Sequence, residues 1–205
     1  MLVDLTHAFT TAMPVYPGDP APELRQVAAL SSDGYNGFEL RTGMHVGTHM
    51  DAPRHILDGG ALISEIPAER LVGRGVLLKA AGRPSIDVDL LRGLELRPGD
   101  VVLVNTGHHH RYGLPDYFSG YPEISAPFAE ALADAAVSIV GLDTPSPDRA
   151  PFPLHKVLLS RGVLIVENLT NLDALDALGP FDVAALPMRA AADGAPVRVL
   201  ALSAV

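Results

Sequence analysis

The sequence predicts an α/β fold, a single domain over residues 1–205 with a central mixed β-sheet or barrel flanked by helices. Three observations predict it. The strand-length runs Val101-Val102-Leu103-Val104 and Val163-Leu164-Ile165-Val166 are uninterruptedly apolar, as in strands buried on both faces. Over the second half of the chain such runs alternate with helix-length segments. With 48% of its 205 residues apolar, the chain can bury a full core and needs neither metal nor disulfide merely to fold.

Element by element, β-branched and apolar spacing predicts strands over residues 38–45, 75–80, 101–105, 137–142, 163–166, 181–186 and 197–202. Helical spacing predicts helices over 64–71, 86–93, 127–136 and 153–160. Pro153 suits a first helical turn, which places His155 near the amino end and Leu158 and Leu159 on the core side of the next turn. The 18 Pro and 19 Gly are spread between short apolar segments, so no linker divides the chain.

Composition removes several classes of function. A formal charge of −9, with lysine only at positions 79 and 156, disfavours nucleic acid as a partner. The amino terminus has no basic segment followed by a long apolar run, and the other apolar runs are too short to span a bilayer, which predicts a soluble cytoplasmic protein with no membrane partner. With no Cys there is neither disulfide nor thiolate ligand. No Gly-x-Ser-x-Gly elbow, phosphate loop or complete Gly-x-Gly-x-x-Gly occurs.

Residues 45–55, His45-Val46-Gly47-Thr48-His49-Met50-Asp51-Ala52-Pro53-Arg54-His55, gather three of the chain's eight His and a carboxylate into eleven positions. On a strand, the even spacing of His45, Gly47, His49 and Asp51 lines one face with two imidazoles and a carboxylate. A helix also brings His45 and His49 together, but Gly43, Gly47, Thr48 and Pro53 are poor helix-interior residues. Gly47 is expected to leave the space between donors open, and Pro53 to turn His55 back toward the same cavity. Imidazole nitrogen with carboxylate oxygen suits a divalent transition ion, above all Zn, with Mn, Fe, Co or Ni as alternatives. Buried hydrogen-bonded histidines or a chance surface cluster are the competing accounts, and four such residues together weigh against both.

The segment resembles the metal-dependent cyclase/hydrolase family that includes bacterial kynurenine formamidase, whose His-x-Gly-Thr-His-x-Asp-Ala-Pro-x-His signature stands intact at 45–55. The resemblance extends through Tyr16-Pro17-Gly18-Asp19, Gly141-Leu142-Asp143-Thr144-Pro145-Ser146, His155, Glu167-Asn168-Leu169 and Ala195-Pro196-Val197-Arg198. It implies a swivelling β/β/α architecture, one ion on His45, His49 and Asp51, and a second ion bridged by Asp51 and held by His155 and Glu167. It also implies His55 as the acid/base and a homodimer or dimer of dimers. Tyr16 departs from the Trp that the kynurenine formamidases carry at this position, and the chain has no Trp.

A divalent ion in such a site lowers the pKa of water from 15.7 toward about 7 and polarises a carbonyl. His55 would move the proton, imidazole being the side chain whose ordinary titration lies closest to neutral pH. The reading that follows is a hydrolase of an aryl formamide, N-formylkynurenine to kynurenine and formate in tryptophan catabolism. The alternatives are a hydrolase of a cyclic amide or lactone, a cyclase or dehydratase, and a non-catalytic metal-binding protein. Asp143 and Glu167 stand at carboxyl ends of predicted strands, where open α/β sheets place ligands. Asp143-Thr144-Pro145-Ser146 shapes the pocket in the family pattern and reads equally well as a turn. His108, His109 and His110 cannot all face one ion from regular structure and read as a solvated loop or substrate rim. Tyr112, Tyr117, Phe118 and Tyr121 fit either an aromatic pocket or an interface.

Overall fold

A three-residue strand decides how the sheet ends. The computed structural model describes residues 1–203, with strands β1 (Leu2–Asp4), β2 (Glu23–Ala28), β3 (Gly37–Arg41), β4 (His49–Asp51), β5 (Val72–Lys79), β6 (Ser85–Ile86), β7 (Val101–Asn105), β8 (Glu123–Ile124), β9 (Ile139–Leu142), β10 (Leu164–Glu167), β11 (Phe181–Pro187) and β12 (Gly194–Ser203). The main sheet runs β1-β12-β11-β5-β7-β9-β10-β4, and because β4 also pairs with β12 it closes into a barrel. Strands β5, β7, β9 and β10 are mutually parallel. Strands β4, β11, β12 and β1 pair antiparallel, so the barrel is mixed.

Side chains alternate between the two faces of each strand, and both faces are buried here. Leu103, Ile139, Leu164, Val166, Val183 and Val199 fill the interior with Leu5 and Met50. Val102, Val104, Val140, Leu142 and Ile165 point outward and pack under helices α2 (Ala126–Asp134) and α3 (Pro153–Ser160), against Phe128, Leu132 and Leu158. This double burial is why these runs carry no polar alternation. Ser125 caps α2 by accepting from the Phe128 N–H, and Pro153 opens α3 as its position predicted.

Three elements differ from expectation. The strand expected over 38–45 stops at Arg41 and pairs only with β2, as a hairpin that also carries the short helix α1 (Leu30–Asp33). The helix expected over 64–71 is two 3-10 turns, Ile63–Glu65 and Ala68–Leu71. Pro67 holds the preceding Ile66 extended, at φ −69° and ψ 124°, and separates them. The helix expected over 86–93 is the end of β6 followed by a 3-10 turn, Val88–Leu91, capped by Asp87.

Candidate metal centre

His45 lies in the turn before β4, not on a strand with His49 and Asp51. Gly47 sits between them at φ +68°, a left-handed conformation that ends strand geometry. Within β4, His49 and Asp51 are two residues apart and share a face, as the spacing predicted. The register places Glu167 of β10 directly opposite His49, and His49 Nε2 lies 3.2 Å from Glu167 Oε2. His155, on the first turn of α3, puts Nε2 3.6 Å from Asp51 Oδ2 and 3.4 Å from Glu167 Oε1. His45 Nδ1 is 2.8 Å from Asp51 Oδ1. His55 ends the 3-10 turn Pro53–His55, where Pro53 redirects the chain, and its ring centroid lies 4.0 Å from that of His45 and 5.9 Å from that of His155. The structure therefore brings all six predicted residues together.

Each of three imidazoles is oriented through one ring nitrogen. His49 Nδ1 donates to the Gly47 carbonyl at 2.8 Å, and His155 Nδ1 donates to Asp148 Oδ1 at 2.5 Å. His45 Nε2 donates to Asp193 Oδ2 at 2.9 Å. For His49 and His155 the other nitrogen then faces the centre, the arrangement found around metal-ligating histidines, whereas both nitrogens of His45 meet carboxylates, Nε2 that of Asp193 and Nδ1 that of Asp51. Sequence reasoning missed Asp148 and Asp193. Asp193 also binds His55 Nδ1, at 3.1 Å, and so joins two rings of the site. Its only local signal was Asp193-Gly194, which reads as a turn. Gly194 itself is needed, because a Cβ there would lie 2.7 Å from His45 Cε1 and 2.8 Å from the Met50 carbonyl oxygen. Gly47 acts otherwise than expected: a Cβ there would strike Met13 Cε at 2.6 Å rather than fill the space between donors, and its carbonyl serves both His49 and Asn168 Nδ2.

The electrostatics fit a cation. Asp51 is 1% exposed and Glu167 5%, yet Asp51 Oδ2 and Glu167 Oε1 have no hydrogen-bond partner. An unsatisfied buried acceptor of this kind costs about 1–3 kcal/mol, more when charged. Their 3.6 and 3.4 Å distances from His155 Nε2 are long for hydrogen bonds and lie within or close to the spacing of donors around one tetrahedral ion, roughly 3.3–3.5 Å. Burial disfavours a charged His155, but Asp148, Asp51 and Glu167 overcome it and push its pKa up to about 12. Burial likewise opposes charge on His45, while Asp51 and Asp193 raise it to about 9. Asp51 is held well below the usual carboxylate range, against its own burial, by His155 and His45. The pocket thus demands positive charge. His45, His49 and Asp51, and separately Asp51, His55 and His155, form donor clusters able to coordinate a divalent ion.

A cavity of about 270 Å³ opens over these groups, with Tyr16, Phe118 and Phe152 on its walls. Of the aromatic cluster at 112–121, only Phe118 reaches it. Tyr117 is fully buried and donates to Asn168 Oδ1 at 2.6 Å, and Tyr121 donates to the Asp148 carbonyl at 3.1 Å. Asp143 is fully buried behind the cavity, accepting from Thr106 and His109, while Pro145 and Ser146 line it. The expected solvated loop at 108–110 is instead a 3-10 turn in which His108 and His109 are buried and only His110 is exposed. Among the described residues, no helix is long and apolar enough to cross a membrane.

Comparison with known proteins agrees with this geometry. The family model described as "Putative cyclase" matches residues 3–149. The kynurenine formamidase of Bordetella petrii is 35% identical over 211 aligned positions, covering 97% of this chain and 96% of that protein. A "predicted metal-dependent hydrolase" from Bacillus stearothermophilus superposes with a TM-score of 0.81 at 30% identity, over 100% of this chain and 98% of the other. Isatin hydrolase A from Labrenzia aggregata shares the fold, with a TM-score of 0.87 at 24% identity over 100% and 94% of the two chains. With a buried donor set of the metal-dependent amidohydrolase type on the outer face of a mixed barrel, beneath α3, and a family match spanning most of its length, the chain belongs to the cyclase family of metal-dependent hydrolases.

Proposed function

We propose that this protein is a single-domain, metal-dependent hydrolase that opens the acyl bond of a small, uncharged cyclic amide or lactone. The observation that carries the reading is the pair of orphaned buried oxygens, Asp51 Oδ2 and Glu167 Oε1, the second of them on a residue that lines an aromatic-walled cavity. In this reading His45, His49 and Asp51 would hold one ion, and Asp51, shared with it, would join His155 and Glu167 in holding a second, with Zn first and Mn as the alternative. When bound, such an ion supplies an acidified water and a Lewis acid for the carbonyl. His55 stands at the side of the donor set, held through Nδ1 by Asp193, and presents Nε2 to take a proton and return it to the leaving group. Tyr16 and Phe118 meet edge to face, with centroids 5.8 Å apart, and offer flat apolar surfaces to a planar ring.

Among the described residues that line the cavity, Asp19 and Glu167 bear carboxylates and none is Lys or Arg, so a substrate carboxylate would have only the donor set and its ion as cationic partners and would meet Asp19, a repulsion that an uncharged substrate avoids. N-formylkynurenine carries a carboxylate. Its hydrolysis is the second reading, favoured by the 35% identity to a kynurenine formamidase. We also propose a homodimer or tetramer, supported by the apolar side chains Val27, Tyr35 and Phe38 that the β2–β3 hairpin exposes, and checked by light scattering.

The test is elemental analysis of untagged protein, followed by a panel of cyclic imides, lactones and N-formylkynurenine with and without chelator. Ring opening that stops on chelation and returns with Zn is expected. Release of formate alone selects the second reading, and turnover by addition or elimination selects a cyclase or dehydratase. Tightly held metal with no turnover of any substrate overturns catalysis.

A further inference from the structure

A second set of donors converges away from the cavity, on the turn that follows β7. The turn His108–Arg111 starts from Gly107 at φ +76° and packs against the turn Leu172–Ala177. His110 Nε2 lies 3.0 Å from Asp173 Oδ2, and His109 Nε2 lies 3.5 Å from the same oxygen. We infer that His109, His110 and Asp173 form a second, surface site for a divalent transition cation of the Zn or Ni class, separate from the hydrolytic centre.

Three features distinguish this set from a chance surface cluster. First, His109 is 7% exposed and its Nδ1 donates at 2.9 Å to Asp143, which is fully buried. Asp143 also accepts from the Thr106 N–H at 3.0 Å and the Thr106 hydroxyl at 2.6 Å, so its position is fixed from behind. A carboxylate on one ring nitrogen aims the lone pair of the other outward, toward Asp173, and raises its basicity. Second, Asn105 Nδ2 donates to Asp173 Oδ1 at 2.7 Å and leaves Oδ2 facing both imidazoles. Third, the three donor atoms lie within 4.8 Å of one another. Two imidazole nitrogens with one carboxylate oxygen select Zn, Ni or Cu over Mg or Ca, which take oxygen donors. Three consecutive histidines do not share one ion, because His108 turns inward to the Tyr117 carbonyl, but the other two do.

A cation here ties the turn after β7 to the turn that follows β10, and β10 ends at Glu167 of the cavity. A protonated His109 ion-paired to Asp173 satisfies the same distances with no cation, and the experiment separates the two. Untagged holoenzyme is equilibrated with excess Zn2+, freed of unbound ion, and its metal counted, in parallel with calorimetric titration by Zn2+ and Mg2+. Wild type is expected to hold one equivalent more than His110→Ala or Asp173→Asn, both exposed positions whose folding is checked by circular dichroism. Asp143→Asn should weaken that equivalent about 10–100-fold. His155→Ala should lower the count at the cavity but keep this one. Equal counts in wild type, His110→Ala and Asp173→Asn, or Mg2+ binding as tightly as Zn2+, would overturn the site.

Discussion

Replacing Asp193 by Asn keeps the shape of the side chain and removes the charge that joins His45 to His55. Asp193 Oδ2 accepts from both rings, at 2.9 and 3.1 Å. A hydrogen bond to a charged group is worth about 1.5–3 kcal/mol net. The Asp193 side chain is 40% exposed, so solvent screening reduces this to about 1–2 kcal/mol. That range corresponds to a fall of roughly 5–30-fold in the rate of the step in which His55 moves a proton. Because the substrate touches His55 and not Asp193 in this reading, the loss belongs in kcat, with KM little changed. The rate should be measured at saturating Zn with a ring-opening substrate across pH, and metal content counted in parallel, since His45 loses its outer partner too. An Asp193→Asn enzyme with full metal content and kcat within twofold of wild type at every pH would show that His55 needs no orientation by Asp193.

His55→Ala should retain metal and slow turnover, whereas Asp51→Asn should lose metal altogether; elemental counts beside rates check both. Chelation should lower the melting temperature by on the order of 10 °C, since each buried oxygen left without a partner costs about 1–3 kcal/mol and the chain is of ordinary domain size, and scanning calorimetry with Zn add-back reads it. Gly194→Ala should bind metal more weakly than wild type, because its Cβ meets His45 Cε1 at 2.7 Å; unaltered Zn affinity by competition with a chromogenic chelator would contradict the packing. Burial, aided by repulsion from His109, pulls the pKa of His7 down to about 4. The unfolded chain takes up this proton near pH 6.5 and the folded chain only near 4, so the stability tied to neutral His7 is complete above pH 6.5 and is lost as pH falls toward 4. In chelated protein, His7→Phe, which preserves the stack on Tyr112 at 3.6 Å, should flatten the decline in melting temperature over that window.

What the sequence made legible followed from local chemistry. The core strands at 101–105 and 163–166 were readable because burial on both faces leaves no polar residue in the run. Four members of the candidate site, His45, His49, Asp51 and His55, were readable from one eleven-residue segment, and β4 does place His49 and Asp51 on one face, whereas His155 and Glu167 entered through the family resemblance. What escaped was set at long range. Asp193 lies 148 positions from His45 and 138 from His55, so no window contains the pair. Asp148 is seven residues before His155, in a Pro-rich loop whose path the spacing does not specify. The expected strand through His45 failed because Gly47 adopts a left-handed φ, which the even spacing of the histidines concealed.

The ring of strands has one short closing member, β4, which pairs with β10 on one side and β12 on the other. Those same three residues carry His49 and Asp51. Closure of the ring and alignment of these donors are thus one structural condition: a chain whose ring is still open lacks the paired β4 that sets His49 and Asp51 side by side.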